Sequence, residues 1–218
     1  MEKILFAKTA RGVYNKNMNA QNYNALMLET AERLSGENNR LLIHACCAPC
    51  SSACFERLKT YFKITAFFYN PNIEDGEYLK RKAELMRFIE QTGWADARDC
   101  EHDEGAFYSA VKGLETCREG GERCRACFKL RLERTAREAA ENGYDYFTTT
   151  LTLSPLKDAR IINEIGYGLE KEYAVKWLPC DFKKSNGYLR SLQLSEEHKL
   201  YRQNYCGCVY SRQTLDKN

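Results

Sequence analysis

The sequence predicts an α/β protein built on a mostly parallel sheet with helices on both faces. Three observations carry that prediction. Short apolar or β-branched runs recur along the chain, each is followed by a charged stretch of helical period, and the alternation runs from Arg40 almost to the end. A length of 218 residues suits one domain with an appendage and is ample for a buried core.

Residues 1–38 read as an N-terminal extension, with five Asn in the ten residues NKNMNAQNYN (15–24), a turn-favouring composition, then a short helical pattern ending near Gly36. Residues 39–218 read as one α/β catalytic domain. LLIHA (41–45) is a strand, and CCAPCSSACFERLKTYF after it opens on turn and capping residues and continues as a helix. KITAFFYN (63–70) is the second strand and Glu74 to Gln91 a charged helix. A weak third strand at Trp94 to Ala97 and a helix at Glu104 to Lys112 precede the loop GLETCREGGERC. Phe128 to Asn142 is helical, YDYFTTTLT (144–152) a strand rich in aromatic and β-branched residues, and Lys157 to Glu170 another helix. AVKWL (174–178) is a strand, and Glu196 to Arg202 closes the chain as a last helix.

Composition narrows the function classes. Hydrophobic residues at 44% and charged residues at 29% fit a globular protein rather than a disordered one. No apolar run approaches the roughly 18 residues of a membrane span, and the N-terminus lacks the features of a signal peptide. A cytoplasmic protein is expected. The net charge of +3 is unremarkable, but the segment from Arg118 to Arg137 alone carries +4.

The eleven cysteines are the unusual feature. They are too sparse for a secreted disulfide scaffold, so metal or redox chemistry is the expected use. His44, Cys46, Cys47 and Cys50 fall where the first strand turns into its helix, the preferred ligand position of an open α/β sheet. Cys124 and Cys127 are one helical turn apart. Two such groups supply the four thiolates that zinc or an iron–sulfur cluster takes, and spacing does not choose between them. A thioredoxin-type dithiol, Cys47 with Cys50, is a third reading, made atypical by the adjacent Cys46. Cys206 and Cys208 flank a single glycine and suit either a strained, labile disulfide or a metal pair. Cys54, Cys100, Cys117 and Cys180 read as buried structural thiols. His44 reads first as a satisfied core residue and second as an acid. Asn70-Pro71-Asn72 and Thr148 to Thr150 end strands at the same carboxyl edge.

HACCAPCSS, FFYNPNI (67–73), ERCRACFKLRLERTA (122–136), YFTTTLTLSPLKD (146–158) and YRQNYCGC (201–208) together resemble the epoxyqueuosine reductase QueH family, in the same order over about residues 40–210. The resemblance implies a Rossmann-like core of the adenine nucleotide alpha hydrolase type and a 4Fe-4S cluster. It also implies an activity, the two-electron reduction of epoxyqueuosine to queuosine in the anticodon loop of tRNA with a GUN anticodon, the epoxide oxygen leaving as water. By motif, Cys46, Cys47, Cys124 and Cys127 match the cluster ligands, and Cys206 with Cys208 the redox-active pair. A second iron is associated with the family, for which Cys50, Cys206, Cys208 and Asp181 are the candidates here; some members carry a carboxylate where this chain has Cys50. Asp181 is also a candidate acid. An electron donor is a further implied partner.

If Phe128 to Asn142 is a helix, Cys127, Arg131 and Arg134 share a face, and the resemblance makes that face a basic stripe for tRNA phosphates. Phe68, Tyr69 and Tyr205 are candidates to stack a splayed base. A thiol–disulfide oxidoreductase and a zinc-stabilised tRNA-binding protein are the alternatives, separable by iron and sulfide content.

Overall fold

The computed structural model describes residues 21–215; most of the Asn-rich stretch and the rest of the N-terminus lie outside them. Its element order is α1 (Tyr23–Arg33), β1 (Arg40–His44), α2 (Ala48–Leu58), β2 (Lys63–Phe67), α3 (Asp75–Thr92), β3 (Asp96–Arg98) and α4 (Glu104–Ala110). There follow α5 (Glu122–Glu141), β4 (Tyr146–Thr149), a 3-10 turn (Thr150–Leu153), α6 (Ala159–Glu172), β5 (Lys176–Trp177), α7 (Gly187–Glu197) and α8 (Val209–Leu215).

The five strands form one parallel sheet in the order β3-β2-β1-β4-β5. The chain runs outward from β1 in one direction through β2 and β3, then returns to the other side for β4 and β5. Parallel crossovers are right-handed, so this reversal puts α2 and α3 on one face and α5 and α6 on the other. Accordingly α2 packs with α3, and α5 packs with α6 and against β1 and β4, while the later α7 returns to pack on α2. Leu41, Leu42 and Ile43 of β1 are fully enclosed, as expected for a central strand covered on both faces. The strand order reverses between β1 and β4, which is where such sheets bind ligands.

Several boundaries differ from the sequence-based expectation. β2 stops at Phe67, and Phe68 to Asn70 continue as buried loop ahead of Pro71. β4 stops at Thr149, because the Thr149 hydroxyl accepts from Leu151 N at 3.1 Å and turns the chain into the 3-10 segment. α5 starts at Glu122, six residues earlier than expected, directly after the Gly120-Gly121 break. The last part of the chain holds α7 at 187–197 and α8, rather than a helix at 196–202. Within the extension, α1 places Met27 and Ala31 in the same core cluster as β1.

Candidate metal and redox site

The site grows out of the switch point. β1 ends at His44, and Ala45 and Cys46 cross above the sheet to Cys47, which caps α2 by accepting from Cys50 N at 3.4 Å. The β4 side meets this turn: Thr150 Oγ1 accepts from Cys46 N at 3.2 Å, and its hydroxyl lies 3.4 Å from Cys46 Sγ. From β2, Asn70 Nδ2 donates to Ala45 O at 2.9 Å. Three loops are thus sewn together around one cysteine-rich turn.

The Sγ atoms of Cys46, Cys47 and Cys50 all lie within 4.8 Å of one another. Cys47 and Cys50 donate their S–H groups to Cys46, and Lys157 adds a cation, so the Cys46 thiol is held below its ordinary pKa. The same sharing pushes Cys47 up to about 12, and Cys50 up as well. One thiolate is favoured among three thiols before any cation arrives.

A second group gathers from the other sequence motifs. Cys124 and Cys127 stand on the first turns of α5, with Gly120 N donating to Cys124 Sγ at 3.2 Å. Cys127 packs in a small cluster with Phe107 and Val111, against Cys208 and Tyr210. Burial pushes Cys127 up to about 12 and Cys208 up to about 11, with the neighbouring thiols raising each further. All eleven cysteines are free thiols, Cys206 and Cys208 included.

Between the groups lies Arg131, 1% exposed. Its Nη1 donates to Asn70 Oδ1 at 3.3 Å, while Nε and Nη2 are buried without a partner. Burial pulls its pKa down, and the sulfurs of Cys127, Cys206, Cys46 and Cys208 raise it by more. Above this floor is a cavity of about 470 Å³ whose wall carries Cys46, Cys50 and Cys206. Four cations, Arg81, Arg131, Lys157 and Arg202, line it against a single carboxylate, Glu119. Such a site favours anionic ligands.

A family model described as epoxyqueuosine reductase QueH matches residues 41–214 of the chain. The chain belongs to the epoxyqueuosine reductase QueH family. It is 42% identical over 206 residues to the epoxyqueuosine reductase QueH of Streptococcus pyogenes serotype M1, covering 90% of this chain and 81% of that one. The protein of the same name from Staphylococcus epidermidis is 44% identical over 185 residues, covering 81% and 77%. The one from Thermotoga maritima is 39% identical over 178 residues, covering 78% and 89%.

Within this QueH-family fold, several expected roles move. Arg131 does not face solvent; α5 turns it inward, toward thiols rather than phosphates. Arg123 is buried too and donates to Glu115 O at 2.7 Å. Arg134 pairs with Glu138 at 2.5 Å and Arg137 with Glu133 at 3.8 Å, both arginines remaining partly exposed, so of the expected stripe Arg131 is the cation withdrawn from solvent. Phe68 and Tyr69 are core residues; of the three aromatic candidates only Tyr205 lines the cavity, joined by Tyr188. Asp181 is held in an ion pair with Lys183 at 2.6 Å and is not on the cavity wall. His44 is fully buried and doubly bonded, Nε2–H to Tyr69 O at 3.0 Å and Nδ1 to Thr149 Oγ1 at 2.9 Å, and burial pulls it down to about 3. It is a neutral structural group. Cys54 and Cys180 are fully enclosed, as expected, whereas Cys100 and Cys117, expected to be buried as well, are only half-buried because they stand in loops at the edge of the fold. Lys157, Arg202 and Tyr188 were not anticipated, although Lys157 follows β4 at the carboxyl edge and that position was itself the signal.

Proposed function

We propose that this chain is an oxidoreductase that reduces the epoxide of epoxyqueuosine to the alkene of queuosine in a tRNA anticodon loop, releasing the oxygen as water. The observation that carries the reading is a cation-lined cavity whose wall holds Cys46, Cys50, Cys206 and the buried Arg131 guanidinium, two of whose nitrogens lack a hydrogen-bond partner, in a chain of this family. Two features support a 4Fe-4S cluster: the sulfurs of Cys46, Cys47 and Cys50 are clustered, and the orphaned Nε and Nη2 of Arg131 call for an anion such as a thiolate-bound cluster carries. Cys46, Cys47, Cys124 and Cys127 would hold it, and it would supply electrons one at a time from an external donor. Cys50 and Cys206, both on the cavity wall, are the donors we assign to a second iron, with Cys208 behind them; Asp181 is left to Lys183.

The chain's own residues do the rest. Lys157 Nζ sits among Cys206, Cys46 and Cys50; burial pulls its pKa down, the sulfur groups raise it by more, and the ammonium stays protonated. It is the group we assign to stabilise the charge that develops on the departing oxygen. Arg202 and Lys157 draw the phosphate backbone to the cavity, and Tyr188 and Tyr205 offer ring faces for the extruded nucleotide. Among the described residues no helix is long and apolar enough to cross a membrane, and a tRNA substrate assigns the protein to the cytoplasm.

The test is anaerobic purification, iron and sulfide analysis, and turnover of epoxyqueuosine-containing tRNA with a chemical reductant. A brown protein that forms queuosine, and a Cys46→Ser variant that loses both cluster and turnover, are the expected results. A colourless protein holding stoichiometric zinc and making no queuosine would reject the proposal.

A further inference from the structure

Beyond the cavity, the side of α3 that faces the C-terminal segment is a row of charged positions at helical spacing, Glu74, Glu77, Arg81 and Glu84, and every one of them grips the segment around the Cys-Gly-Cys motif. Glu84 Oε1 accepts from Tyr201 N at 2.7 Å. The Tyr201 hydroxyl donates to the Glu77 carboxylate, 3.2 Å from each oxygen. Glu77 in turn holds Arg81 Nε at 2.6 Å, and Glu74 pairs with Arg212 at 2.6 Å.

Arg81 is the centre of this row and is 2% exposed. Its Nη1 donates to Cys206 O at 3.0 Å and its Nη2 to Tyr205 O at 3.4 Å, while the guanidinium lies 5.1 Å from the Tyr205 ring centroid. Gly207 follows with φ +106°, and a Cβ there would sit 2.9 Å from Ile73 Cγ1 and 3.0 Å from Arg81 Nη1. The backbone between the two cysteines is therefore pressed onto the guanidinium, in a conformation glycine adopts freely. The two thiols part company here: Cys206 lines the cavity, whereas Cys208 packs beside Cys127.

A main-chain carbonyl can be aimed only by rotating the peptide that carries it, so a fork that fixes two successive carbonyls also fixes where the next side chains point. We propose that Arg81, locked by Glu77 and Tyr201, is the positioning residue that holds Cys206 toward the cavity and Cys208 away from it. The geometry stands without the epoxide reading, but its value for turnover rests on that reading. Lysine does not substitute: a single ammonium cannot serve Glu77 and both carbonyls.

The test is alkylation of the metal-free protein by iodoacetamide, with each cysteine peptide followed by mass spectrometry. In Arg81→Lys the labelling of Cys208 rises about tenfold, the equivalent of losing one charged hydrogen bond, while the enclosed Cys54 and Cys180 stay protected. Gly207→Ala shifts Cys208 in the same direction from the loop side. Should Arg81→Lys be insoluble, Tyr201→Phe, which removes one hydroxyl behind Glu77, gives a smaller shift of the same kind. Unchanged Cys208 labelling in the soluble variants overturns the proposal, and so does a parallel rise at Cys54 and Cys180, which marks general loosening. With the loaded enzyme, Arg81→Lys lowers kcat and leaves KM for tRNA unchanged. A labelling shift in a protein that never makes queuosine sinks the epoxide reading alone; wild-type turnover with unshifted labelling sinks the clamp alone.

Discussion

His44 makes the pH dependence of stability calculable. In the folded protein its pKa falls from 6.5 to about 3, because the ring is buried and Arg131 repels the imidazolium, which together outweigh the opposing pull of Cys46 and of the hydrogen bond to Tyr69 O. The unfolded chain takes up a proton near its ordinary pKa and the folded chain does not, so acid favours the unfolded state and the contribution of His44 is lost as pH falls below that value. Between about pH 8 and pH 5 the loss is roughly 2 kcal/mol, at about 1.36 kcal/mol for each unit below the unfolded pKa. Any folded pKa below about 4 gives nearly the same figure over this window, so the result does not hang on how far the pKa is depressed. The lowered carboxylates, Glu84 and Glu138 among them, act mainly at lower pH, whereas the lowered Cys46 thiol also loses stability as pH falls through this window, so the share of His44 is read as a difference between proteins with and without it. Urea unfolding at the two pH values should show the loss in the wild type. His44→Gln, which cannot become charged, should be less stable at pH 8 but should lose about 2 kcal/mol less than the wild type between the two pH values. An equal slope in both proteins, or an imidazole that titrates near neutrality by NMR in the folded state, would refute the argument.

Arg131→Met should cost both stability and metal retention. The sulfur groups around it, the low-pKa Cys46 among them, hold its pKa up against burial, and its Nη1 satisfies the buried Asn70 Oδ1, so its removal should destabilise the metal-free form by about 1–3 kcal/mol in urea melts. The loaded protein should lose iron faster than wild type; iron loss at the wild-type rate would count against Arg131 as a cation set for an anionic ligand. On α6, two glycines two residues apart should respond oppositely to alanine. At Gly166 a Cβ would lie 2.2 Å from the Trp177 ring, so overpacking of about 1–3 kcal/mol or more exceeds the gain of about 1 kcal/mol in helix propensity. At Gly168 nothing lies within 4 Å, and thermal melting should show only the gain.

The strand–helix alternation, the placement of Cys46 at the first strand–helix turn and the structural nature of Cys54 and Cys180 were all legible in the sequence, because each follows from local pattern or from the geometry common to parallel sheets. What was not legible has physical reasons. α7 carries its apolar residues Tyr188, Leu189 and Leu192 on an exposed side, which blurs the amphipathic period that announces a helix. The end of β4 depends on one threonine hydroxyl competing for a backbone N–H, in a run whose composition is all strand. Arg81 looked like any charged helix residue, since its partners are main-chain carbonyls more than a hundred positions away.

Arg131 marks the deepest gap between sequence and site. Helical period correctly puts Cys127 and Arg131 on one face of α5, but period cannot say whether that face meets water or the sheet. It meets the sheet, because α5 packs across β1 and β4 at the switch point, and the stripe expected to hold phosphates instead sends one cation inward to the thiols. Exposed Arg125, Lys129 and Arg137 remain on α5, but none of them lines the cavity. The cations that do include Lys157 and Arg202, supplied by the loop after β4 and by the C-terminal segment, on the wall that also carries Cys206. Lys157 lies among Cys206, Cys46 and Cys50, so thiols and cations face one cavity and an anionic ligand drawn to the cations is brought to the thiols.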